Sequence, residues 1–108
     1  MSRITEIKYQ LLEEIYDFLT KYNISVLNAY DVDEGSSPIV QEDYSDEDNN
    51  YTLDRIYFEN GDVKVDASGC WGGSDDFYLA DLNVEIIESI HEWLFDNEDT
   101  IMEIVAEN

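Results

Sequence analysis

Apolar residues recur at Ile4, Ile7, Leu11, Ile15, Phe18, Leu19 and Tyr22, the three-and-four spacing that gathers side chains on one helical face. The spacing predicts an amphipathic N-terminal helix, and Asn23 is a plausible stop because asparagine tolerates the left-handed backbone of a helix end. "ISVLNAYDV", residues 24–32, reads as a strand from its β-branched and aromatic content, although its alternation is imperfect. The pattern then lapses. Residues 33–50 hold the only proline, two adjacent serines and seven acids, and predict a long acidic loop with a short strand near 38–41.

Alternation returns in "YTLDRIYFENGDVKVDASG", where Asn60-Gly61 separates Ile56 and Phe58 from Val63, Val65 and Ala67. Asn-Gly between alternating runs predicts a hairpin closed by a type I′ turn, since both residues accept positive φ. "CWGGSDDFYLADL" predicts a turn or bulge near 72–75 and a further short strand at 76–80. With Asn83 or Asp81 as N-cap, Ile86, Ile87, Ile90, Trp93 and Leu94 predict a second amphipathic helix. A break is possible at 96–99, before Ile101, Ile104 and Val105.

The resulting order, α-β-β-β-β-α, predicts an α+β fold over residues 1–108 as a single domain. A sheet of three or four antiparallel strands, centred on the Asn60-Gly61 hairpin, packs against the N-terminal and C-terminal helices. No internal repeat interrupts it.

Charge changes the picture more than any motif. Twenty-seven Asp and Glu against five Lys and Arg give a net charge of −22, so at least 22 carboxylates have no cationic partner within the chain. A 44% hydrophobic content with eight tyrosines argues for a folded core beneath that charge rather than a disordered acidic tail. Such a surface attracts basic partners, and disfavours direct binding to nucleic acid or to an anionic membrane. Cys70 is the sole cysteine, which excludes an internal disulfide and fits a reducing compartment. With no leader-like h-region and no apolar run of membrane-spanning length, a cytoplasmic location is expected.

Catalytic readings are thin. Cys70 and His91 are the only thiol and imidazole, nothing in the sequence brings them together, and five basic residues offer little to activate a thiol or bind an oxyanion. Adjacent Asp75-Asp76 reads as a strand-entry turn. Neither an enzyme nor a cofactor is expected. Residues 31–42 place Asp31, Asp33, Gly35 and Glu42 at ligand-like spacing for Ca²⁺, but Ser36 stands where the loop needs glycine and Pro38 follows. Asp46, Asp48 and Asn50 repeat the spacing, with Tyr51 at the glycine position. No metal is assigned.

The acids themselves carry the functional expectation. Glu85, Glu88, Glu92, Asp96, Asp99 and Glu103 advance by three or four residues, and on one uninterrupted helix they would form a stripe about 27 Å long. No lysine or arginine follows Lys64. Beside the stripe, Glu42, Asp43, Asp46, Glu47 and Asp48, with Tyr44 or Tyr51 for amphipathic contacts, would complete a surface competing for cationic grooves that read phosphates.

In size, acidity, lack of cofactor motifs and helix–sheet–helix order, the whole chain resembles the small acidic proteins of phages and mobile elements that imitate DNA, such as anti-CRISPR and anti-restriction inhibitors. The resemblance is one of character and transfers no residue-level site. It implies a protein-binding module that inhibits a nucleic-acid-binding enzyme or complex. The competing expectation is an immunity-type interaction protein that neutralises a basic partner such as a nuclease toxin.

Overall fold

The computed structural model of the chain describes residues 3–33, 37–41, 50–69 and 72–107. The first helix, α1 (Arg3–Lys21), buries Ile15, Phe18 and Leu19, while Ile4 and Ile7 in its first turns stay exposed. Its end is built as the sequence suggests. Asn23 takes φ 54°, its N–H donates to the Thr20 carbonyl at 3.1 Å, and the Ile24 N–H donates to the Leu19 carbonyl at 2.9 Å. That pair of bonds satisfies carbonyls the helix leaves open and brings Ile24 and Leu19 into the core together.

The strand expected over 24–32 is shorter than its composition suggests. Only β1 (Val26–Asn28) is extended, and α2 (Ala29–Val32) is a single helical turn. Ala29 and Val32 are both buried, with Tyr30 and Asp31 exposed between them, a three-residue spacing that a helical turn meets and an alternating strand does not. The short strand expected near 38–41 is present as β2 (Ile39–Gln41).

β3 (Tyr51–Glu59) and β4 (Asp62–Ser68) form the central hairpin. At its turn Asn60 has φ 55° and Gly61 φ 87°, both positive as a type I′ turn requires. A bulge interrupts the pairing: Leu53 faces Ala67 and Arg55 faces Asp66, which leaves Asp54 as the extra residue. Asp54 and Arg55 both point outward, so Leu53 and Ile56 reach the core from positions three apart.

β5 (Ser74–Tyr78) pairs with β4 and begins two residues earlier than the sequence predicts; Leu79–Asp81 then form a 3₁₀ turn. Among the described residues the sheet has five antiparallel strands rather than three or four. β1 and β2 lie end to end along one edge of β3, against Arg55–Tyr57 and Tyr51–Thr52, and β4 and β5 follow on the other side.

Asn83 caps α3 (Val84–Asp96) by accepting the Ile86 N–H at 3.0 Å, and α4 (Glu98–Glu107) follows. Ile87, Ile90 and Leu94 of α3 join Ile15 and Leu19 of α1, Leu27, Leu53, Ile56 and Val65 of the sheet, and Ile101 of α4 in one hydrophobic cluster. The α+β class and the flanking helices are as expected. The opposite face of the sheet carries the charged residues Arg55, Lys64, Asp66 and Asp76 together with exposed Val26 and Tyr78.

Aromatic contacts reinforce the joint between helices, with Phe18 4.9 Å from Phe95 between ring centroids and Phe95 stacked on His91 at 4.4 Å. Tyr22 donates a short hydrogen bond to Glu98, tying the end of α1 to the start of α4.

Candidate functional site

On α3 the core positions leave Glu85, Glu88, Glu92 and Asp96 exposed along the opposite side. Consecutive members are three or four residues apart, and each like-charged pair at that spacing costs a helix roughly 0.2–0.5 kcal/mol. Asp96 adds a negative charge at the helix C-terminus, where the peptide dipoles already present negative ends. No ion pair among the described residues involves these four acids, or Asp99 or Glu103. The acids therefore sit where they cost the helix stability and receive no compensation inside the described fold.

The uninterrupted stripe does not form. Asn97 separates α3 from α4 with φ −106° and ψ 18°, and its side-chain amide and backbone N–H both donate to the Trp93 carbonyl, at 2.7 and 3.2 Å. An asparagine that competes in this way for a backbone acceptor favours a turn over continued helix. The row is thus four acids on α3, about 16 Å from Glu85 to Asp96, with Asp99 and Glu103 exposed on a separate helix.

Beside this row lies a groove of about 450 Å³ between α3 and the segment leading into β2. Ile86 and Trp93 of α3 and Pro38 and Ile39 of the facing segment border it, with carboxylates from Asp33, Glu85, Glu92 and Asp96 and hydroxyls from Ser37 and Ser89, so its exposed lining is mostly polar. Glu88 is exposed but does not line this groove. A second groove, of about 390 Å³, continues past the N-terminus of α3, where Glu85 and Ile86 meet Val40, Phe77 and Asp81. Neither groove is lined by a lysine or an arginine.

The cations lie elsewhere. Arg55 pairs with Asp66 at 2.7 Å, and Lys64 meets Glu59 at 3.1 Å and Asp76 at 2.5 Å, all on the polar face of the sheet. Hydrogen bonds to Asp76 and Glu59 hold the Lys64 ammonium well above its usual range, and Lys64 in turn keeps the Asp76 carboxyl below the usual carboxylate range. Burial, and then the hydrogen bond it donates to Asp66, push the Tyr57 phenol up. Lys21 approaches Glu98 at 3.8 Å. Two cations on the sheet face pair with Glu59, Asp66 and Asp76 and so compensate it in part, whereas no ion pair among the described residues involves the α3 acids.

The loop members of the expected surface, Glu42, Asp43, Tyr44, Asp46, Glu47 and Asp48, lie outside the described residues, as does Cys70. Tyr51 is half-buried against the core rather than displayed. His91 has its Nε2 3.3 Å from Glu14 Oε1 and serves the α1–α3 joint. Among the described residues no cluster of three or more His, Cys, Asp or Glu is placed to hold a metal, and Asp31 lies in the helical turn of α2. Among them also, no helix is long and apolar enough to cross a membrane.

Comparison of the chain with protein-family models, curated proteins and solved structures found no match. The site is read from its own chemistry. Sequence reasoning identified the α3 acids but missed the groove beside them, because Pro38 and Ile39 are more than 40 residues from Glu85 and no periodicity links them. It also missed a cleft of about 420 Å³ between α1 and the end of the β3–β4 hairpin, bordered by Leu12, Tyr16, Val63 and Tyr78.

Proposed function

We propose that the protein is a binding module whose acidic α3 face engages a basic, nucleic-acid-binding protein and occupies the surface that protein uses for phosphates. The observation that supports this reading is the row Glu85, Glu88, Glu92 and Asp96, exposed on a rigid helix and paired with no cation. A partner's lysines and arginines would relieve the repulsion within the row, so complex formation recovers free energy that folding gives up. A duplex presents one phosphate charge per ~1.7 Å of axis, and a fixed row of carboxylates competes for the same cations.

Capture of partners from a lysate at physiological salt, with and without duplex DNA as competitor, tests the proposal. The expected result is a nucleic-acid-binding protein that DNA displaces and that the triple variant Glu88→Lys, Glu92→Lys, Asp96→Lys binds at least about tenfold more weakly. Capture indifferent to both DNA and the charge reversal would overturn it.

A further inference from the structure

We infer that the cleft between α1 and the end of the β3–β4 hairpin is a binding site for a small organic cation, an amine carried on an aromatic or aliphatic body. The inference goes beyond the acidic-face reading, and the cleft shares no residue with α3.

The fold leaves this cleft open for a topological reason. β3 and β4 stay paired out to Glu59 and Asp62, whereas β5 pairs with β4 only as far as Tyr78 opposite Lys64. The hairpin therefore runs two residues, Val63 and Asp62, past the point where β5 leaves the sheet. There Leu79–Asp81 depart as a 3₁₀ turn, closed by the Leu82 N–H donating to the Leu79 carbonyl at 3.2 Å, and α1 passes alongside with Leu12 and Tyr16. The space between hairpin, turn and helix is about 420 Å³, within the size range of small-molecule sites.

Its chemistry separates it from the groove beside α3. The exposed lining of the cleft is mostly apolar. Leu12 and Val63 pack against the core and remain half-buried, and Leu79 is buried in the wall. Tyr16 is 46% exposed, yet its ring is held edge-on against Phe58, 5.4 Å away between centroids, and Phe58 is the cross-strand partner of Val63. A half-exposed ring fixed beside aliphatic side chains gives an organic body a surface to remove from water, at little cost in side-chain ordering.

Charge selects among organic bodies. Asp62 and Asp81 border the cleft and are both exposed, no lysine or arginine lines it, and Lys64, the cation nearest to them in sequence, is engaged by Glu59 and Asp76. In the field of a molecule of charge −22 an anion is repelled from the cleft and a cation is concentrated at it. A cation without a body finds the same attraction at any surface carboxylate, and a neutral body gains only the apolar contact. An amine with an organic body gains both in one place.

The test is a heteronuclear NMR titration of the full chain at physiological salt with four probes. Phenethylammonium, phenethyl alcohol and hydrocinnamate share one aromatic ring and differ in charge; methylammonium has the charge alone. The expected result is saturable shifts centred on the amides of Leu12, Tyr16, Val63 and Ala80, with phenethylammonium bound about fivefold more tightly than the alcohol, the upper range for an exposed ion pair, and hydrocinnamate not bound. Asp62→Asn with Asp81→Asn, at two exposed positions, should lower the affinity for the cation to that of the alcohol and leave the alcohol unchanged.

Equal affinity of the parent chain for cation and alcohol would overturn the assignment to cations. Matching shifts from phenethylammonium and methylammonium, spread over carboxylate-bearing segments, would mean that the cation meets surface charge only and would overturn the site. Cleft amides that stay unmoved by every probe would overturn it as well, and none of these outcomes bears on the α3 face.

Discussion

Gly61 shows how little a single residue needs from the rest of the molecule to have a defined role. Its φ of 87° lies where an added Cβ is disfavoured, and nothing lies within 4 Å of the place that Cβ would occupy. Gly61→Ala should therefore cost only the backbone strain, roughly 1–2 kcal/mol, measured as a lower urea midpoint with an unchanged slope. Asn60, Gly61, Asn23 and Asn83 were all legible in sequence, because turns and caps act through their own backbone or that of near neighbours. Asn97 was legible only as a possible break. The competing reading was an unbroken stripe of acids at helical spacing, and the asparagine's hold on the Trp93 carbonyl prevails locally over that periodicity.

At the scale of elements, β5 is one of the sheet's edge strands, and an edge needs protection from pairing with other chains. It hydrogen-bonds to β4 alone among the described residues, and its first three residues, Ser74, Asp75 and Asp76, are exposed. Asp75 stands opposite buried Ala67, on the face the helices cover, and an inward-pointing charge at a sheet edge discourages a second strand from docking. Asp75→Val should make the protein self-associate in a concentration-dependent manner in sedimentation velocity, under conditions where the parent chain sediments as one unchanging species. The strand pattern was legible where alternation was clean, in the β3–β4 hairpin. It failed at residues 29–32, where buried Ala29 and Val32 obey a helical turn, and the short strand expected near 38–41 was left out of the strand count because its place in the sheet comes from pairing with β3 rather than from its own pattern.

For the molecule as a whole, a charge of −22 is carried on a body of about 41 × 38 × 26 Å, so unlike-charge pairs are the exception and self-repulsion opposes compaction. Screening weakens that repulsion, with a Debye length of about 10 Å at 0.1 M salt. The melting temperature should rise by several degrees between 10 and 150 mM NaCl in differential scanning calorimetry. A flat response would mean that the carboxylates are better compensated than the ion pairs of Lys21, Arg55, Lys64 and His91 imply.

Composition and periodicity were enough for the α+β class, the two amphipathic helices, the central hairpin and the acidity of the α3 face, since each follows from local spacing or from a sum over residues. The groove, the end-to-end placement of β1 and β2, the Asp54 bulge and the neutralisation of Lys64 by Glu59 and Asp76 required the folded chain. They depend on contacts between residues far apart in sequence, and hydrophobic burial, which brings those residues together, is non-directional and leaves no period in the sequence to mark which distant residues will meet.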